Sequence, residues 1–81
     1  MEEIKIHNVY RHFKGIYCIV EGIGYHSETQ EKYVIYREMR DNGKIWLRPY
    51  DMFVSEVDHE KYPDIKQKHR FEYQNLDEIL K

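Results

Sequence analysis

Gly22-Ile23-Gly24-Tyr25-His26-Ser27-Glu28-Thr29, then Tyr33-Val34-Ile35-Tyr36, then Asp41-Asn42-Gly43-Lys44, then Ile45-Trp46-Leu47-Arg48-Pro49-Tyr50-Asp51-Met52-Phe53: the reading of this stretch decides the fold. It holds the only Trp and three of the four glycines. Tyr33 to Met39 is rich in β-branched and aromatic residues and reads as a strand. Asn42-Gly43 between apolar runs is a strong hairpin signal, because both residues tolerate the positive φ of a tight turn. Ile45 to Arg48 returns as the next strand. Pro49 ends it, since proline has no amide proton for a ladder. Tyr50 to Phe53 reads as a helical turn that drops Met52 and Phe53 onto the end of the sheet.

On the amino-terminal side, Ile4 to Phe13 alternates as a first strand, with Tyr10 and His12 on one face and Val9, Arg11 and Phe13 on the other. Lys14-Gly15 is a turn signal. Ile16 to Val20 follows as a second strand. Glu21 facing water puts Cys18 and Val20 inward, and the same alternation carries Gly22 and Gly24 inward as well. A strand without side chains there can bend sharply. His26 to Glu31 is a polar loop. Beyond Phe53, residues 54–57 extend the helical turn or begin an irregular crossing. His59 to His69, with Pro63, reads as a surface loop, and Arg70 to Tyr73 as a short closing strand. Asn75 caps a short helix, Glu78 reaches back three residues later, and Leu76, Ile79 and Leu80 form its apolar face. The expectation is a mainly β fold, a small SH3-like roll or barrel of about five antiparallel strands. Residues 1–73 make the domain and residues 74–81 a short helical tail.

Eighty-one residues supply surface for one small core. The 15% aromatic content serves that core, since each ring buries a large area at low entropy cost. A charged fraction of 35% beside 41% hydrophobic residues argues against disorder. The formal net charge of −2 provides no long-range field to draw in nucleic acid or anionic lipid. The lone Cys18 excludes an internal disulfide. The Met-Glu-Glu-Ile start lacks a secretion pattern, and no apolar run approaches the ~20 residues that span a bilayer. A cytoplasmic protein with no membrane association is expected.

The chain resembles DUF1653, a family of small bacterial domains of unknown function. The resemblance is carried by Tyr10-Arg11-His12-Phe13-Lys14-Gly15, His26-Ser27-Glu28-Thr29, Val34-Ile35-Tyr36, Trp46-Leu47-Arg48-Pro49 with Met52-Phe53, and Arg70-Phe71. These segments stand in the family's order at about its spacing, over roughly residues 8 to 73. The resemblance implies an SH3-like roll and brings no activity, ligand or catalytic residue. The chain departs from the family's pattern at Glu21-Gly22-Ile23-Gly24 and in the length of the His59–His69 loop.

His26-Ser27-Glu28 names a base, a nucleophile and an acid, yet neighbours in a turn point apart, whereas a catalytic triad must converge within ~3 Å. A structural polar turn is the better reading, and no catalytic residue is assigned. His7, His12, His26, His59, His69 and Cys18 show none of the paired spacings of zinc sites, so neither metal nor cofactor is expected. The grouping of Tyr36, Trp46 and Arg48 carries more. A two-residue loop at Asn42-Gly43 puts Met39 near Trp46 and Arg37 near Arg48, with Tyr36 a diagonal neighbour. Two facing arginines need an acid or an anionic ligand between them. The structural reading has Trp46 as a core anchor and Arg48 satisfied by Glu28 or Glu31. The functional reading is a surface of aromatic rings, a bidentate arginine and histidine, comprising His12, His26, Glu28, Tyr36, Trp46 and Arg48. Tyr10, Lys14 and Tyr17 extend it. This favours a non-enzymatic module, monomeric or weakly dimeric, binding a peptide, a nucleotide, nucleic acid or another anionic ligand. The alternatives are a small enzyme on a nucleotide-like or acyl substrate, with His26 and Glu28 as acid and base, and a structural or oligomerising protein.

Overall fold

The computed structural model describes residues 3–40 and 42–79, the side chains of Glu78 and Ile79 excepted. Its elements in chain order are β1 (Val9–His12), β2 (Tyr17–Tyr25), β3 (Lys32–Glu38), β4 (Ile45–Pro49), α1 (Tyr50–Phe53), β5 (Phe71–Tyr73) and α2 (Leu76–Ile79). All five strands form one antiparallel sheet in the order β4-β3-β2-β1-β5, the mainly β architecture expected from the sequence. The first four strands run as a meander, and β5 returns to the free edge of β1. The sheet curls into a roll, because the outermost strands meet over the core: the Arg48 guanidinium of β4 stands 5.3 Å from the Phe71 ring centre of β5.

β1 is shorter than the Ile4–Phe13 expected. His7 adopts a φ of 63°, which breaks extended backbone, and its amide donates to the Val20 carbonyl. Val9 and Tyr10 are both buried, and Tyr10 and His12 face the core side. The turn at Lys14-Gly15 forms as read. Gly15 sits at φ 90°, donates its amide to His12 O at 2.8 Å and lets the His12 amide reach Ile16 O.

β2 puts Cys18 and Val20 inward, at 1% and 0% exposure. The glycines do not follow them. Val20 pairs with Tyr36 but Gly22 pairs with Ile35, so Glu21 is the extra residue of a β-bulge. A bulge inverts the alternation beyond it. Ile23 opposite Val34 therefore packs on the core, while Gly22 and Gly24 share the outer face with Ile35.

The β3–β4 hairpin also corrects its expected register. Asn42 and Gly43 adopt φ values of 66° and 67°, as the turn signal implies, and Gly43 N donates to Arg40 O at 2.9 Å. The connection is longer than two residues, running from Glu38 to Ile45. Tyr36 thus faces Trp46, Arg37 faces Ile45 and Arg48 faces Val34. The two arginines are not opposed.

The core joins Tyr10, Cys18, Val20, Val34, Tyr36, Phe53 and Phe71. Its centre is a parallel stack of Phe53 on Phe71, with ring centres 4.1 Å apart, against which Tyr10 and Tyr36 pack at steeper angles. Of the helical turn, Phe53 enters this stack, but Met52 stays exposed because adjacent helical positions lie about 100° apart. Trp46 is 39% exposed, with Lys44 Nζ 4.4 Å above its ring, so it is no core anchor.

Residues 54–70 form turns closed on themselves by a Glu56–His69 bridge and tied to the roll by Gln67. The Gln67 amide accepts from Arg11 Nη1 at 2.7 Å and donates to Arg11 O at 2.9 Å. Asn75 caps α2, accepting from the Asp77 amide at 3.0 Å. The Glu78 and Ile79 side chains expected to complete that cap and apolar face, and Leu80, lie outside the described residues. No described helix is long and apolar enough to cross a membrane.

Candidate functional site

One end of the roll carries a cavity of about 250 Å³ that opens to solvent. Every strand contributes to it: His12 from β1, Cys18 from β2, Tyr36 and Glu38 from β3, Arg48 from β4 and Phe71 from β5. Phe13, Lys14 and Ile16 of the β1–β2 turn, Tyr62 of the long loop and Arg70 complete the wall. Sheet pairing brings these positions together, with His12 opposite Phe71 and Cys18 opposite Glu38. Gln67 pins the long loop, its side chain bonding the carbonyls of Arg11, His69 and Arg70. The Phe13 amide donates to Arg70 O at 2.9 Å, which holds Arg70 at the rim.

Three cations and one carboxylate face this space. Arg48 donates from Nε to the Tyr36 hydroxyl at 3.2 Å, and Arg70 from Nε to Ser55 Oγ at 3.2 Å. Both partners are hydroxyls. Among the described residues, neither arginine nor Lys14 has a carboxylate within ion-pair distance. Glu38 is engaged from outside by Arg40 Nε at 3.0 Å. The cavity is therefore positive, with guanidinium forks not consumed by internal acids.

His12 responds to that field. Its imidazole is pushed down to about 4, first by burial and then by the positive charges of Arg48, Arg70 and Lys14, against a smaller pull from Glu38. It is neutral at pH 7. Nδ1 accepts the Lys14 amide at 3.1 Å, which leaves the ring proton on Nε2 as a hydrogen-bond donor. Burial pushes the Cys18 thiol up to about 12, with a Tyr10 backbone hydrogen bond acting in the opposite sense. Cys18 is a protonated, buried thiol at neutral pH.

Of the residues singled out from the sequence, His12, Tyr36 and Arg48 line this one cavity, and Lys14 joins them. Trp46 lies across from Tyr36 on the same face but outside the cavity. His26 and Glu28 lie elsewhere, in the β2–β3 connection. There the His26 Nδ1 accepts the amides of Glu28 and Thr29 at 3.1 and 3.2 Å, and Thr29 Oγ1 accepts that of Glu31. His26-Ser27-Glu28 is thus a turn held by its own histidine. The Tyr33 hydroxyl donates to Glu31 at 2.7 Å, and among the described residues neither Glu28 nor Glu31 is within ion-pair distance of Arg48. Tyr10 belongs to the core, its hydroxyl accepting the Lys5 amide, and Tyr17 is exposed. The sequence does not single out Arg70 or Glu38 for the site; its signal for Arg70 is only the Arg70-Phe71 pair, and the role of Arg70 depends on β5 returning to β1. No three His, Cys, Asp or Glu side chains group as metal ligands among the described residues.

No curated protein and no solved structure matches this chain. A family model described as a protein of unknown function, DUF1653, matches residues 8–73, most of the chain, and the chain belongs to that family.

Proposed function

We propose that this protein is a non-enzymatic binding module that takes an anionic group of a small ligand or peptide into the cavity between Arg48, Arg70 and Lys14. One observation carries the reading: two arginines and a lysine converge on a cavity with no carboxylate paired to any of them among the described residues. Left without a counter-ion, such a cluster costs folding energy through self-repulsion, and an anion removes that cost. The cavity is smaller than the ~300–1,000 Å³ of pockets that enclose drug-sized ligands. It suits a terminal charged group, with the rest of the ligand at the mouth beside Tyr62.

The chemistry of the wall supports binding over catalysis. Cys18 and His12 both line the cavity, but a thiol held up near 12 beside an imidazole held down near 4 leaves neither a nucleophile nor a base matched to neutral pH. The test is calorimetric titration of the protein with a panel of mononucleotides and acidic peptides at two salt concentrations. Saturable binding is expected, weaker at high salt and weakened further by Arg48→Ala. Heats no different from dilution across the panel would sink the proposal.

A further inference from the structure

Resting on the reading above, we propose that the anion recognised by this cavity is a phosphate monoester, held by Arg48 and Arg70 with Lys14 closing over it. The number, charge and placement of the donors separate this from a carboxylate. A carboxylate carries one negative charge in one plane, and a single arginine fork satisfies it. Here the cations come from three separate parts of the chain: β4, the residue preceding β5, and the β1–β2 turn. Cations supplied by three separate segments suit a group with three outward oxygens rather than a flat one. The charge points the same way. Three cations against Glu38 leave an excess of two, and a phosphate monoester carries about −1.5 to −2 at pH 7.

The neighbours complete the fit. Each arginine Nε is anchored to a hydroxyl, Tyr36 for Arg48 and Ser55 for Arg70, which fixes the fork and leaves its terminal nitrogens without an acidic partner among the described residues. The Arg48 guanidinium lies over the Phe71 ring at 5.3 Å from its centre, so less side-chain entropy is lost on binding. His12 adds a neutral N–H donor. Lys14 sits on the exposed turn with Nζ 5.7 Å from the Tyr62 ring, so its ammonium can move onto the ligand from the mouth.

The experiment is titration of the full chain at constant ionic strength, followed by amide chemical shifts. The probes are 5′-AMP, ribose 5-phosphate, adenosine and N-acetylglycine. Both phosphate esters are expected to shift the resonances of residues 12–18 and 70–71. Their affinity should exceed that of N-acetylglycine by about tenfold or more, one extra charge contact being worth roughly that factor. Adenosine should not bind. If 5′-AMP alone binds, the source is a nucleotide; if ribose 5-phosphate matches it, the phosphate suffices. Lys14→Ala, an exposed turn position whose loss leaves the core intact, should weaken both esters by about tenfold. Arg70→Lys keeps the charge but not the fork, and should weaken them as well. N-acetylglycine binding as tightly as the esters overturns the phosphate assignment while leaving anion recognition standing. Absence of binding by every anion, or adenosine equalling 5′-AMP, overturns both.

Discussion

His12 shows how a single side chain registers its surroundings. In the folded chain its imidazole titrates at about 4, against 6.5 in the unfolded chain, because of burial and three nearby cations. The unfolded state therefore binds the proton first. Stability is fully present above about pH 6.5, falls as pH drops through the window between 6.5 and 4, and loses nothing further from this group below that. For this half-exposed ring, solvent screening cuts the loss to on the order of 1 kcal/mol. His12→Asn keeps an acceptor near the Lys14 amide but cannot take the proton. Its thermal midpoint should fall a few degrees less than the native one between pH 7 and 4.5, since about 1 kcal/mol moves a domain this size by ~4–8 °C. Parallel midpoint curves would contradict the assignment. The sequence reading places His12 in a surface of rings and arginine, but nothing local to Arg11-His12-Phe13 announces three cations around it.

At the scale of elements, turns and irregularities place the site. The Lys14-Gly15 turn delivers Lys14 to the cavity mouth and turns β1 into β2. Gly15 holds φ 90°, and a methyl group added there meets only Arg11 Nη2 at an ordinary 3.6 Å. The obstacle to substitution is the backbone angle alone. Gly15→Ala should thus cost about 1–2 kcal/mol, read as a lower denaturant midpoint with unchanged slope. An unaltered midpoint would show that the turn is not held as described. The bulge at Glu21 acts on the other half of β2. It inverts the facing of everything beyond it, so that Ile23, not a glycine, closes the core over Val34. The length of the β3–β4 connection likewise sets Tyr36 across from Trp46 and frees Arg48 to reach the Tyr36 hydroxyl.

For the whole molecule, stability rests on one aromatic stack. Phe53 is 1% exposed and lies 4.1 Å from the centre of Phe71, which also braces Arg48 and packs on His12. Core and cavity share a wall. Phe53→Ala should cost about 3–5 kcal/mol through lost burial and the void left behind. That compares with a total of roughly 4–12 kcal/mol for a chain of this length. Calorimetry is expected to show the transition lowered by about 12 °C or more, at about 4–8 °C per kcal/mol. A smaller drop than 5 °C would mean the stack is not the keystone. Phe53→Leu, which keeps most of the volume, should fold and retain the cavity.

The sequence by itself determined that five strands form, the turns at Lys14-Gly15 and Asn42-Gly43, and the helical turn after Pro49. Those are properties of a few adjacent residues: β propensity, tolerance of positive φ, a missing amide proton. It placed the irregularity of β2 at Gly22 and Gly24, whereas the bulge falls at Glu21. It also marked His12, Tyr36 and Arg48. Tertiary structure decided which way residues face past the bulge, which residues oppose each other across the long hairpin, and which charges share a space. A one-residue change of register moves every side chain to the opposite face, and no local preference sets it; the summed packing of the roll does. The same packing left His26 and Glu28 in a self-bonded turn and carried Arg70 to His12, because only the return of β5 to β1 puts those two distant positions side by side.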